Sequence, residues 1–197
     1  MITKQNLVLA LAQYTHDVPL VLIKDPEELL SQMTPELINR WHMLTGLFDE
    51  FNELQAAIYN NDSKNVTEEL GDFMFYLMGY ASTIQGEFKD NLSYITQTLL
   101  VDPINDVLGP FGVLKKHVVY AKDTPKQDQL DALRIFYNAV RTKVEMFVHK
   151  AQLLDNVDDF INEAIQANQE KLLTGTNARY SSGSYSDAQA VARKDKE

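Results

Sequence analysis

Residues 49–77 read DEFNELQAAIYNNDSKNVTEELGDFMFYL, and this segment carries the strongest structural signals of the chain. Apolar residues recur three and four positions apart on both sides of a polar turn cluster at 60–63, which is the period of a helix and not of a strand. Upstream, Thr34-Pro35-Glu36 places a capping side chain, a proline and an acid in the order that starts a helix. The sequence therefore predicts two neighbouring helices, one from Thr34 to about Tyr59 and one from about Asn65 to Ile84.

The rest of the chain shows helix signals as well. The segment VPLVLI at 18–23 has strand character, but no partner strand is evident. We therefore predict an all-α fold, a helical bundle, with one domain at 1–172 and a polar tail at 173–197 whose composition is typical of disorder. Further helices are predicted from Asp90 to Leu100, from Thr124-Pro125 through Phe147, and from about Val157 to Leu172.

Composition excludes several classes of function. The net charge of −10, from 28 acidic and 18 basic side chains, disfavours a nucleic-acid binder. The chain has no cysteine, which rules out disulfides and thiolate metal sites and fits a reducing, cytoplasmic setting. Because no apolar run approaches the roughly 18–20 residues of a membrane span, and the N-terminal segment lacks the cleavage site of a secretory signal, we expect no membrane partner.

Four carboxylates stand out in the two central helices. Glu50 and Glu53 form an E-x-x-E pattern, and Glu69 and Asp72 form an E-x-x-D pattern. Residues three apart share a helix face, so two packed helices would bring the four groups together. The positions one turn on are Leu, Ala, Phe and Tyr, whereas a solvated acidic face usually interleaves Lys or Arg. This pattern favours a buried metal site over an ordinary acidic surface.

Oxygen ligands of this kind favour a hard divalent cation. Four converging carboxylates repel one another unless a cation is present, and Mg²⁺, with Mn²⁺ as a substitute, prefers such ligands. A carboxylate-bridged iron site would need Glu-x-x-His on two helices, and no glutamate here has histidine three residues later. The pattern therefore indicates magnesium and phosphate chemistry.

The four-acid block also resembles a known family signature. E-x-x-E followed after fifteen residues by Glu69-Leu70-Gly71-Asp72 is similar to the motif of the all-α nucleoside triphosphate pyrophosphohydrolases. That superfamily includes MazG-like proteins, dimeric dUTPases, dCTP pyrophosphatases and phosphoribosyl-ATP pyrophosphohydrolase. The family often doubles the acid at the motif's start, and Asp49 fills that place. The resemblance covers most of the chain from Trp41 to Arg193.

The tail adds to the resemblance. NQEKLLTGTNARYSSGSYSDAQAVARKD is similar to the tail that closes over the substrate in phage-type MazG-like proteins. The resemblance implies ordering of this tail when nucleotide is bound, and it assigns Asn168, Lys171, Arg179 and Tyr180 to the substrate. A lysine-rich segment with Lys115, Lys116 and Lys122 resembles one that relatives carry between their acidic helices. Here it stands beyond both, so these lysines are either substrate ligands or a solvated helix face, and 114–137 is either a degenerate repeat or unrelated.

The resemblance implies hydrolysis of a nucleoside triphosphate to monophosphate and pyrophosphate. In that reaction Glu50, Glu53, Glu69 and Asp72 hold the metal, and the motif position favours Asp49 as general base, with Glu50 and Glu53 as further candidates. His42 is a candidate contact to sugar or base, while Trp41 fits the core stripe. Two alternatives stay open, phosphoribosyl-ATP hydrolysis and a non-catalytic nucleotide-sensing regulator. Family members work as homodimers or homotetramers, which we expect here too.

Overall fold

The computed structural model describes residues 27, 30–31, 33–98, 108–119, 124–153 and 156–174. Contacts divide the chain into two compact units, Met1–Ile38 and Asn39–Glu197. In the first unit, the Thr34 hydroxyl accepts a hydrogen bond from the Leu37 N–H at 3.2 Å, as the predicted cap requires. The strand candidate at 18–23 and the polar tail from 175 onward lie outside the described residues. The domain boundary at 172 stays a prediction.

The described residues form helices throughout, with no strand among them, and the all-α prediction is confirmed. The long helices lie within a few residues of their predicted bounds. The short helix was predicted too late and too long, because its N-cap is Glu87 and not Asp90 and it ends at Ile95 and not at Leu100. The helix at 108–119 was not predicted. In chain order the elements are α1 Pro35–Asn60, α2 Ser63–Ser82, α3 Phe88–Ile95, α4 Leu108–Val119, α5 Lys126–Ala151, α6 Val157–Gln169 and a π-helical turn Glu170–Thr174.

Helices α1 and α2 form an antiparallel hairpin. Asp62 caps α2 by accepting a hydrogen bond from the Asn65 N–H at 3.2 Å. The ring of Tyr76 fills the space that a side chain at Gly46 would need. This close approach brings the two acidic faces side by side.

Three phenylalanines join the hairpin to α5. The ring of Phe136 lies 5.2 Å from that of Phe51 in α1 and 5.6 Å from that of Phe73 in α2, both edge-on. All three side chains are buried. Edge-to-face contacts of this kind add to the free energy gained by removing the rings from water. Phe51 follows Glu50 and Phe73 follows Asp72. Packing of the three rings therefore also holds the backbone next to these two acids in place.

The remaining helices are fastened by polar contacts as well as by packing. Arg40 of α1 hydrogen-bonds to His117 of α4 at 2.8 Å and donates to the Thr83 carbonyl at the end of α2 at 2.7 Å. Tyr94 of α3 donates to Asp131 of α5 at 2.5 Å. Helix α6 packs against both α2 and α5. Within the described part of the chain, no helix has the length and apolar character that crossing a bilayer requires.

The predicted core stripe of α1 is wrong at one position. Trp41 is 43% exposed, although its spacing matched the buried residues Leu44 and Phe51. Burial in α1 begins at Leu44, so the apolar period extends toward the N-terminus beyond the part of the helix that is buried. An exposed Trp41 is therefore a surface residue of this chain and does not fill its core.

Candidate metal centre

Three carboxylates from the two central helices meet in one place. Oxygens of Glu50 in α1 and of Glu69 and Asp72 in α2 all lie within 4.8 Å of one another. Glu69 is 2% exposed and Glu50 is 8% exposed, so two of the three groups are buried. The spacing of both patterns predicted this convergence, because residues three apart on α2 share the face that the hairpin turns toward α1.

Crowding raises the pKa of the Glu50 carboxyl to about 8, first through burial and then through a hydrogen bond with Glu69 and the negative charges of Asp72, Glu69 and Glu53. A hydrogen bond between two carboxyl groups requires a proton on one of them. Without a cation, the cluster therefore holds a proton at neutral pH where three separate carboxylates would hold none. A divalent cation would supply the missing positive charge.

The other predicted acids lie on α1 but outside this group of three. The charge of Glu53 acts on Glu50 from one turn further along the helix, and its side chain is half-buried. Asp49 directly precedes Glu50 and is exposed. The structure thus brings three of the four predicted ligands together and leaves Glu53 and the proposed base Asp49 at the margin of the cluster.

Two residues from the far end of the described chain reach the same site. Asn168 of α6 donates through its amide nitrogen to Asp72 Oδ1. Lys171, in the π-helical turn, donates through Nζ to Asp72 Oδ2 at 2.8 Å and to Glu68 Oε1 at 2.9 Å. Both oxygens of Asp72 are therefore engaged. The resemblance assigned Asn168 and Lys171 to the substrate, and the structure places both at the acidic cluster.

The surroundings of Lys171 favour the protonated form of its side chain. Burial lowers the pKa of its ammonium group, but the hydrogen bonds and charges of Asp72 and Glu68 outweigh that effect, so the pKa is raised. The ammonium therefore stays protonated at neutral pH. One fixed positive charge thus faces the acidic cluster from the α6 side.

Gly71 makes this contact possible. A Cβ built on Gly71 would lie 2.7 Å from the Ala164 carbonyl oxygen and 2.8 Å from the Asn168 Cβ. Separations under 3 Å do not occur between real Cβ atoms and their neighbours, so only glycine permits α6 to approach α2 this closely. The glycine inside the E-L-G-D motif therefore serves the contact between the two helices that places Asn168 on Asp72.

The remaining predicted substrate residues fall in three groups. His42 is exposed, and its ring meets that of Tyr76 edge-on at 5.8 Å. Lys115 and Lys116 are exposed on α4, with no described contact to the acidic cluster. The other three, Lys122, Arg179 and Tyr180, lie outside the described residues.

Sequence reasoning missed Glu68. It stands four residues before Asp72 on the same face of α2, and it is the second partner of Lys171. The doubled acid Glu68-Glu69 was visible in the sequence, but nothing local indicated that a lysine a hundred residues away would lie against it. Its four-residue spacing from Asp72 was the available signal.

The residues present fit a magnesium ion. The donor set consists of oxygen atoms only, two of the three groups are buried, and in the absence of a cation the cluster retains a proton. Hard divalent cations prefer carboxylate oxygens, and Mg²⁺ is commonly held by few carboxylates together with water and phosphate oxygens. Among the described residues this is the one group of acids, histidines or cysteines close enough to hold a metal ion.

Comparison with known proteins agrees with this geometry. Residues 40–99 match the family model of the MazG nucleotide pyrophosphohydrolase domain, within the all-α NTP pyrophosphohydrolase superfamily. The matched segment contains all four predicted acids, so the resemblance found in the sequence is confirmed for this part of the chain. The match supports nucleotide pyrophosphohydrolase activity in general, while the likeness to phage-type members stays a prediction. No curated protein and no solved structure matches the chain significantly.

Proposed function

We propose that this protein, whose residues 40–99 match the MazG domain model, is a magnesium-dependent nucleoside triphosphate pyrophosphohydrolase. Its substrates would be ribo- or deoxyribonucleoside triphosphates, and its products the monophosphate and pyrophosphate. One observation carries the proposal: oxygens of Glu50, Glu69 and Asp72 lie within 4.8 Å of one another. Carboxylates buried this close together destabilise the fold unless a cation compensates their charge, which favours a metal-binding role.

The reaction is a displacement at the α-phosphorus. A water oxygen bonds to that phosphorus, the bond from the phosphorus to the bridging α–β oxygen breaks, and pyrophosphate leaves with the bonding electrons. The proton released from the water passes to a base. The task of the protein is to position the reactants and to neutralise charge.

Each acid has a proposed role in that task. Glu50, Glu69 and Asp72 would hold the magnesium ion, with Glu53 as a fourth ligand one turn away on α1. When bound, the ion supplies positive charge to the phosphate oxygens and activates water. Asp49 is the proposed base, because it adjoins the ligands and its exposed carboxylate is open to water.

The residues of α6 and the π-helical turn would bind the phosphates. Lys171 lies 2.8 Å from Asp72, so its ammonium would be within side-chain reach of phosphates bound beside the cluster. Asn168 donates an amide N–H to the same carboxylate and could donate another to a phosphate oxygen. Arg179 would grip the departing pyrophosphate in a bidentate fork, as the resemblance implies. His42, Tyr180, Lys115 and Lys122 remain proposed substrate contacts.

Pyrophosphate release tests the proposal. The purified protein is assayed with magnesium against the common NTPs and dNTPs, and Glu69→Gln is expected to lower kcat at least a hundredfold. Glu163→Gln, an exposed acid of α6, is the matched control and should retain activity. Hydrolysis of phosphoribosyl-ATP alone would select the histidine-pathway reaction. Magnesium-dependent nucleotide binding without hydrolysis would select the sensor.

We further propose a homo-oligomer that acts in the cytoplasm. Large apolar side chains are exposed on both helices of the hairpin, Trp41 at 43% and Phe75 at 41%, and the chain has no cysteine. Apolar surface of this kind is often covered by a second subunit. Light scattering coupled to gel filtration is expected to report a dimer or tetramer, and a monomeric mass would refute this part alone.

A further inference from the structure

The acidic cluster already has an internal cation beside it. The ammonium of Lys171 lies 2.8 Å from Asp72 and 2.9 Å from Glu68, and all three side chains are less than a third exposed. Ion pairs shielded from solvent are screened less than those on an open surface. The positive charge of Lys171 therefore neutralises part of the cluster in a protein that holds no metal.

We propose that Lys171, held in place by Glu68, is the counter-ion of the metal-free site, and that binding of a divalent cation at Asp72 releases its ammonium toward the substrate phosphates. The second half rests on the proposed function. The reason is that Asn168 and Lys171 together engage both oxygens of Asp72. A divalent cation bound at either Asp72 oxygen would lie a few Å from the Lys171 ammonium and repel it, whereas the amide of Asn168 carries no net charge.

Asn168 and Lys171 differ in how easily each side chain can leave Asp72. Asn168 belongs to α6, is 8% exposed, and its Cβ lies against Gly71, so α6 must move for it to leave. Lys171 belongs to the π-helical turn Glu170–Thr174 that follows α6. The ammonium of Lys171 stands at the end of a flexible four-carbon stem, so it can turn away without movement of the backbone. Lys171 can therefore leave Asp72 while Asn168 stays.

Glu68 keeps the displaced lysine near the site. It lies outside the group of three that would hold the ion, so its carboxylate remains a partner for Lys171 after Asp72 is taken. An ammonium anchored there stays within side-chain reach of phosphates bound to the metal.

Metal affinity without nucleotide tests the counter-ion directly. Mn²⁺ is titrated into the full chain, and free Mn²⁺ is measured by electron paramagnetic resonance. Lys171→Met is expected to bind Mn²⁺ roughly tenfold more tightly, the effect of removing one charge a few Å from a double charge in a high effective dielectric. Lys150→Met removes the same charge from an exposed site at the end of α5 and should leave affinity unchanged. Equal or weaker binding by Lys171→Met overturns the proposal.

A measurement on the wild-type protein keeps the test independent of how that variant folds. With ¹⁵N-labelled lysine, the ammonium signal of Lys171 is assigned through Lys171→Arg and followed during a Mg²⁺ titration. It is expected to shift and to broaden as its Asp72 partner is lost, while the signal of Lys150 stays unchanged. A Lys171 signal that is unaltered at saturating Mg²⁺ contradicts release.

Inorganic pyrophosphate tests where the ammonium goes. In the presence of Mg²⁺, Lys171→Met is expected to bind pyrophosphate at least about tenfold more weakly than wild type, since a charge-assisted contact is lost. Unchanged pyrophosphate affinity overturns the second half. The Mn²⁺ titration involves no nucleotide, so it tests the counter-ion role even if the protein hydrolyses no NTP. Conversely, hydrolysis with an unaltered Mn²⁺ affinity refutes the counter-ion and not the proposed function.

Discussion

Gly71 and Ala164 lie so close that a Cβ on the glycine would come 2.7 Å from the alanine carbonyl oxygen. The obstacle is backbone and cannot rotate away, unlike the flexible end of a side chain. Helix α6 therefore rests directly on the backbone of the motif that supplies Glu69 and Asp72. The position of Asn168 and Lys171 at the acidic cluster depends on this contact.

Replacing Gly71 with alanine is expected to destabilise the protein by about 1–3 kcal/mol, the usual cost of overpacking. Urea unfolding measures the change. Because α6 must also shift away from α2, Mn²⁺ affinity should change in the same variant. Gly112→Ala is the control: it lies in α4 with nothing within 4 Å of the added Cβ, so it should be neutral or stabilise by up to about 1 kcal/mol. Equal effects of the two substitutions would contradict the role given to Gly71.

The metal-free protein is expected to lose stability as pH rises from 5 to 8. The pKa of Glu50 is about 8 in the folded state against 4.5 when unfolded. Between these values the folded state binds more protons, so the free energy of unfolding falls with rising pH and the contribution is lost on passing through the folded pKa. Urea unfolding in a chelator measures the slope. Glu50→Gln should flatten it and be more stable than wild type at pH 8, and a stability that rises over this range would contradict the assignment.

Magnesium is expected to stabilise the native protein. An ion that binds the folded acidic cluster and not the unfolded chain adds about 2.7 kcal/mol at a hundred times its dissociation constant. For a chain of this length, that corresponds to an increase in Tm of roughly 5–10 °C. Thermal unfolding with millimolar Mg²⁺ measures it. Glu69→Gln should abolish most of the increase and Glu163→Gln should preserve it, whereas a wild-type Tm insensitive to Mg²⁺ would count against the metal site.

The two acidic helices could be predicted because their determinants are local. The three-residue spacing of Glu69 and Asp72, the cap before α2 and the apolar period are all properties of short segments. The short turn between α1 and α2 then folds the two helices against each other, which brings their acidic faces together. For the same reason the bounds of the four long helices α1, α2, α5 and α6 were predicted within a few residues. The exceptions are α3, whose cap was placed at Asp90, and α4, which was not predicted because Gly109-Pro110 reads as a break.

What the sequence did not reveal depends on contacts between distant segments. Glu68 has its role only because Lys171, over a hundred residues later, lies against it. Trp41 has the right period for the core, but it stands before Leu44, where burial in α1 begins. The family resemblance assigned Lys171 to substrate, yet its present partners are carboxylates. Which partner a charged side chain has in the absence of ligand is decided by tertiary packing.

The aromatic cluster around Phe136 yields a last prediction, which links stability to the site. Its ring is fully buried between Phe51 and Phe73, the residues that follow Glu50 and Asp72. Phe136→Ala is expected to cost about 3–5 kcal/mol in urea unfolding, through lost burial and the cavity left behind. Because the cavity loosens both acid-bearing helices, the variant should also bind Mn²⁺ more weakly under conditions where it is folded. Met146→Ala, on the same helix and 67% exposed, is the control and should change stability by less than about 0.5 kcal/mol. Full Mn²⁺ affinity in a folded Phe136→Ala would show that the cluster supports the fold without positioning the acids.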